Sequence, residues 1–249
     1  HVMTHLIHAE LAKLRTTRTT PMLLAAMVGF AIVTVTFVVT VSGTQGNPPL
    51  DADSLRHIVA APSRVISGTA LLVGILALAG EFRHQTITQT FLITPDRGRV
   101  VAAKLAAGIL IGLVFGVAST VAVLAVGLPW LAAKGVAVQL SGAFGQTVAG
   151  VLAAAALSGL LGVAVAALVR NQVAAVVGAL LWFLVIEGIL PAVLRAPTLP
   201  RWLPGGAAAA LTDPGGRYLS AWAGALLLAG YGLVLAAIGS RLTLRRDIT

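Results

Sequence analysis

Six long apolar runs, each separated from the next by a charged or Pro/Gly-rich segment, constrain this chain more than any other feature: Met22–Ser42, Val65–Gly80, Leu105–Leu128, Ala143–Val169, Val173–Leu194 and Tyr218–Ser240. At about 1.5 Å of rise per residue, a helix of about 20 residues crosses the roughly 30 Å of hydrocarbon in a bilayer. Backbone amides cannot go unpaired there, so each run reads as a transmembrane helix. Composition agrees: of 249 residues 58% are apolar and 10% charged, with a mean hydropathy of +0.97. A soluble surface needs about a quarter of its residues charged, so most soluble enzyme folds, a large extramembrane domain and a disordered charged tail are excluded. The second run is the shortest and reads as extending through Pro62-Ser63-Arg64, with Arg64 snorkelling to the headgroups. The expected fold is all-α integral membrane, one transmembrane domain over 1–249 with spans at about 22–42, 62–80, 105–128, 143–169, 173–194 and 218–240. His1 and Val2 precede the first methionine, Met3, and read as an appended scar outside the fold.

The net charge of +9 would suggest nucleic acid in a soluble protein. In a multispanning one, basic residues gather in the loops, and their asymmetry sets orientation. Lys13, Arg15, Arg18, Arg83, Arg97, Arg99, Lys104, Arg170, Arg241, Arg245 and Arg246 fall on one side, against Arg56, Arg64, Lys134, Arg195, Arg201 and Arg217 on the other. Both termini and the 81–104 loop are therefore expected in the cytoplasm, with no nucleic-acid partner.

Residues 4–19 place Ile7, Leu11 and Leu14 on one helical face just before the first span, with His8, Lys13, Arg15 and Arg18 largely off it. This reads as an amphipathic helix in the cytoplasmic interface, the plainer alternative being an ordinary cap. Between the fifth and sixth spans, Pro197, Pro200, Pro204, Pro214 and paired glycines forbid one continuous helix. Short interfacial or re-entrant helices are expected there, with Trp202 at headgroup level.

Catalytic constellations are missing from the pattern. All five histidines precede residue 85 and lie outside the confident spans, there is no cysteine, and no HExxH occurs. Each lysine follows alanine, so there is no Gly-Lys-Ser/Thr of a P-loop. Ser158, in Ala156-Leu157-Ser158-Gly159, has no histidine in a later span to act as base and reads as a small packing residue. No catalytic residue, metal site or cofactor is assigned. Glu187 is the one acid inside a run, about 15 residues or roughly 22 Å along its helix. It reads as a substrate-path residue, as a structural pair with Arg195 or Arg201, or as a carboxylate already wetted near the interface. Gly108, Gly112 and Gly116 recur at GxxxG spacing and permit close helix approach, within one chain or between two.

The loop after the second span is the most specific feature. Ile87 and Phe91 share a helical face at i and i+4, amid Arg83, Thr86 and Thr90, with Glu81 before them. Thr94, Pro95 and Asp96 suit the N-cap and first turn of the next helix, which leads through Arg97 to Lys104. A polar helix with an exposed apolar pair is best explained as a docking surface for another protein.

Here the chain resembles the permease subunits of ABC-2 type ABC transporters, especially actinobacterial drug or antibiotic exporters. The resemblance rests on Glu10-Leu11-Ala12-Lys13-Leu14-Arg15-Thr16-Thr17-Arg18 before the first span. It rests also on Gly80-Glu81-Phe82-Arg83 through Thr86, Phe91, Thr94-Pro95, Arg97 and Lys104, and on the six-span layout. It implies that 4–19, with Glu10, Lys13, Arg15 and Arg18, is an elbow helix. It implies that 81–95 carries a coupling helix, with Glu81, Arg83, Thr86, Ile87, Thr90, Phe91, Pro95 and Arg97 facing an ATPase. His84-Gln85-Thr86 departs from the glycine common before that threonine. The implied assembly is a pair of permeases, a homodimer, on two separate ATPase subunits that bind Mg-ATP, in a bacterial plasma membrane. The implied activity is export of a hydrophobic drug, lipid or peptide. The rival reading is a self-contained ion-coupled transporter or a membrane enzyme, against which stands the single intramembrane acid.

Overall fold

The computed structural model describes residues 19–44, 47, 49–83, 97–213 and 218–246, of which 81–83, 97–100 and 242–246 are described by backbone alone. All regular structure among them is helical. In chain order the helices are α1 (Thr19–Val41), α2 (Ser54–Ala60), α3 (Ser63–Arg83), α4 (Arg97–Ala133), α5 (Gly142–Val169), α6 (Gln172–Leu181) and α7 (Glu187–Val193), then α8 (Pro204–Thr212) and α9 (Ala221–Arg246). A π turn, Trp182–Ile186, joins α6 to α7, and a 3-10 turn, Leu199–Trp202, precedes α8.

Six of these stretches are long and apolar enough to cross a membrane: α1, α2 with α3 (Ser54–Gly80), α4, α5, α6 with α7, and α9. The second span does continue back past Arg64, with a break at Ala61-Pro62 where proline removes an amide donor. The third is longer than its apolar run: its 37 residues carry it through Pro129 to Ala133, about 55 Å of helix. Six alternating spans bring the 42–53, 134–141 and 194–220 connections to one end, called distal below.

α5 is the hub. It packs on α3, α4 and α9, and 67% of this span is buried, against 17–22% for the first, fifth and sixth. The reason is its sequence: alanine, glycine and Ser158 recur around the whole helix, so backbones can approach it from several directions. A Cβ added at Gly108 of α4 would stand 2.8 Å from the carbonyl oxygen of Gly159, and one at Gly112 would meet the backbone of Ala155 and Ala156 at 2.7 Å. The glycine spacing in the third span thus serves a contact within the chain. In contrast, α1 buries a single stripe, Met27, Ala31, Val35 and Val39, and leaves Phe30, Val33 and Phe37 exposed. Two of its hydroxyls bond within its own turns, Thr34 donating to the Phe30 carbonyl at 2.9 Å and Thr40 to the Thr36 carbonyl at 2.8 Å. A face so satisfied is compatible with lipid.

Candidate functional site

Glu187 lies at the start of α7, directly after the π turn, and its own N–H reaches back to the Trp182 carbonyl. Four residues on, Pro191 offers no N–H to the Glu187 carbonyl, so the helix is wide and then weakened around this residue. The residue is 7% exposed. Its Oε1 accepts a hydrogen bond from the Gly205 N–H at 2.6 Å, and Oε2 is 3.9 Å from Nη2 of Arg64. That guanidinium also donates to the Phe183 carbonyl at 3.3 Å. Arg64 thus ties the second span to the fifth, where the sequence suggested only a reach for headgroups.

The pairing of Glu187 with Arg195 or Arg201 is corrected by this geometry. Arg195 occupies the left-handed residue (φ 49°) that ends α7, with the Ala196 N–H bonded to the Pro191 carbonyl at 3.0 Å and Arg195 N–H to Ala192 at 3.2 Å. This Schellman arrangement turns the chain away, and Arg195 is exposed. Arg201 is exposed on the 3-10 turn.

What Glu187 does instead is cap a helix in trans. α8 begins at Leu203, which has no side-chain acceptor, followed by Pro204 at the first helical position. The carboxylate from the fifth span supplies the missing acceptor and places negative charge at the positive end of the helix. Gly205 leaves room for the carboxylate, because a Cβ there would overlap Oε2 of Glu187 and push that side chain aside. At the other end of α8, Thr212 Oγ1 lies 3.1 Å from Ser63 Oγ of the second span. Just before α8, Tyr231 of α9 donates its hydroxyl to the Trp202 carbonyl at 2.7 Å. A nine-residue helix is thereby held by the second, fifth and sixth spans, and its middle packs on α5 and α9. Arg64, Ser67, Glu187 and Tyr218 line a cavity of about 140 Å³ beside it.

The other residues singled out from sequence are not brought to this site. Glu81 and Arg83 fall on the last turn of α3 and Arg97 on the first of α4, described by backbone alone. Thr86, Ile87, Thr90, Phe91 and Pro95 lie outside the described residues, as do Glu10, Lys13, Arg15 and Arg18. Ser158 is buried in α5 at 3% exposure. Nothing in the sequence pairs Gly205 or Arg64 with Glu187: Pro-Gly-Gly at 204–206 reads as a helix breaker, although such a start also leaves an N–H free for a distant acceptor.

A bundle of six apolar helices around an Ala/Gly-rich hub is the build of a multi-pass membrane protein. Residues 6–186 match the family model described as ABC-2 family transporter protein, which is most of the chain. The chain belongs to that family. A search of curated proteins found no match.

Proposed function

We propose that this chain is the permease subunit of an ATP-driven exporter, forming the translocation path and driven by a separate ATPase subunit that binds Mg-ATP. The observation that carries the reading is the family match over 6–186, which takes in the first four apolar runs, most of the fifth and the loop between the second and third spans. In this reading 81–95 is the coupling helix, with Ile87 and Phe91 its apolar contact, and 4–19 is the elbow helix. Two copies of the chain and two ATPase subunits form the working complex in a bacterial plasma membrane, both termini cytoplasmic. α8, held among the spans at the distal end, is the re-entrant element before the sixth span. The substrate class is a hydrophobic drug, lipid or peptide, in keeping with spans lined by Ala, Val, Leu and Phe.

The test is Phe91→Ala in the co-expressed complex. Truncating an aromatic anchor costs about 2 kcal/mol, a roughly thirtyfold loss of affinity. The variant should insert and fold, yet lose co-purifying ATPase or uncouple hydrolysis from transport, whereas Thr19→Ala, exposed at the start of α1, should do neither. Normal stoichiometry with fully coupled transport in Phe91→Ala would sink the coupling role.

A further inference from the structure

A second cavity, about 730 Å³, opens at the distal end beside the C-terminal residues of α8. Arg56 of α2, Gln146 and Thr147 from the early turns of α5, and Ser220 and Trp222 at the start of α9 form its outer part. Both α5 and α9 begin at this end, so residues further along them lie deeper, and the deeper wall is Ala149, Ala153 and Ala225. The cavity is therefore polar at the mouth and floored by methyl groups of the fourth and sixth spans.

Arg56 gives it a sign. Its side chain is 20% exposed, its Nε is buried with no hydrogen-bond partner among the described residues, and Nη2 stands 3.7 Å from Asp53 Oδ2, outside hydrogen-bond reach. A mostly buried guanidinium with one unpaired N–H, its charge met only by the long ion pair to Asp53, still has room for an oxyanion, and phosphate matches its fork. The first-turn N–H groups of α5 and α9 reinforce that preference. Asp213 also lines the cavity, which favours a headgroup that is not purely anionic. Trp222, 70% exposed at the rim, is the residue type that settles at headgroup level, and Leu226, 65% exposed, continues the apolar surface one turn deeper. A free anion would leave that floor uncovered; glycerol and acyl carbons would cover it.

We propose that this cavity holds a glycerophospholipid of the distal leaflet, its phosphate against Arg56 and its glycerol and acyl carbons along Ala149, Ala153 and Ala225. The probe is dioleoyl phosphatidylethanolamine titrated onto the purified permease and followed by native mass spectrometry. The wild type should retain one lipid more than Arg56→Gln, with about tenfold weaker binding at that site in the variant, roughly the loss of one charged hydrogen bond. Ala149→Phe, at an exposed position, should block the same lipid from the floor. Dioleoylglycerol, which lacks phosphate, should not occupy the site, and inorganic phosphate should not displace the lipid. Equal stoichiometry and affinity in wild type and Arg56→Gln would overturn the proposal, as would displacement by inorganic phosphate alone, which would make this a free-anion site. Should Arg56→Gln fail to fold, lipid retention by folded Ala149→Phe would overturn it equally.

Discussion

A carboxylate at membrane depth is tolerated only where polar or charged groups meet it, and Glu187 accepts a hydrogen bond from a backbone amide and stands 3.9 Å from a guanidinium. Because those groups sit on α8 and α3, the residue braces three segments. Glu187→Gln keeps an acceptor for Gly205 and surrenders the charge, so a loss of about 1 kcal/mol is expected, read as a lower melting temperature of the purified protein. Gly205→Ala should cost more, about 1–3 kcal/mol, because the added carbon drives the carboxylate off the helix end. If Glu187 serves the substrate path instead, Glu187→Gln will alter substrate-stimulated ATPase activity of the complex and leave the melting temperature alone.

At the scale of elements, the seam between α4 and α5 is set by backbone approach. Apolar side chains gain little from leaving lipid for protein, so helix association here depends on close van der Waals fit. Gly112→Val should break that fit, since even a first carbon stands 2.7 Å from the Ala155 backbone. A loss of about 2 kcal/mol or more is expected, visible as reduced yield of monodisperse protein and earlier melting. Gly29→Ala in α1, where nothing lies within 4 Å, should be neutral or stabilising by up to about 1 kcal/mol. Equal damage from both substitutions would show that helix packing at the seam is looser than the geometry says.

For the molecule as a whole, the basic asymmetry predicts that the distal end faces outward. Single cysteines in this cysteine-free chain at Asn47, Gln139 and Ser220, all exposed at that end, should react with an impermeant maleimide on intact cells. Thr212 is in the same connection but 5% exposed and within hydrogen-bond distance of Ser63, and would report burial instead of sidedness. Cysteines at Gln89 and Thr249 should stay unlabelled until the membrane is opened. External labelling at Gln89 would reverse the topology and remove the coupling role from the 81–95 loop.

Membrane class and the location of the spans were determined by the sequence alone, because transfer into hydrocarbon sums over about twenty consecutive residues and needs no knowledge of neighbours. The break before the sixth span was legible for the same local reason: Pro197, Pro200 and Pro204 cannot continue a helix. Only the tertiary structure decided that α5 is the hub, since alanine and glycine permit close approach without naming the helix that approaches. It also decided the partners of Glu187. Sequence proximity favoured Arg195 and Arg201, but the left-handed turn at Arg195 carries the chain away, and folding brings Arg64 and Gly205 to the carboxylate instead. The cavity at Arg56 belongs to the same class of fact, being bounded by three segments far apart in the chain whose shared geometry exists only once the bundle has closed.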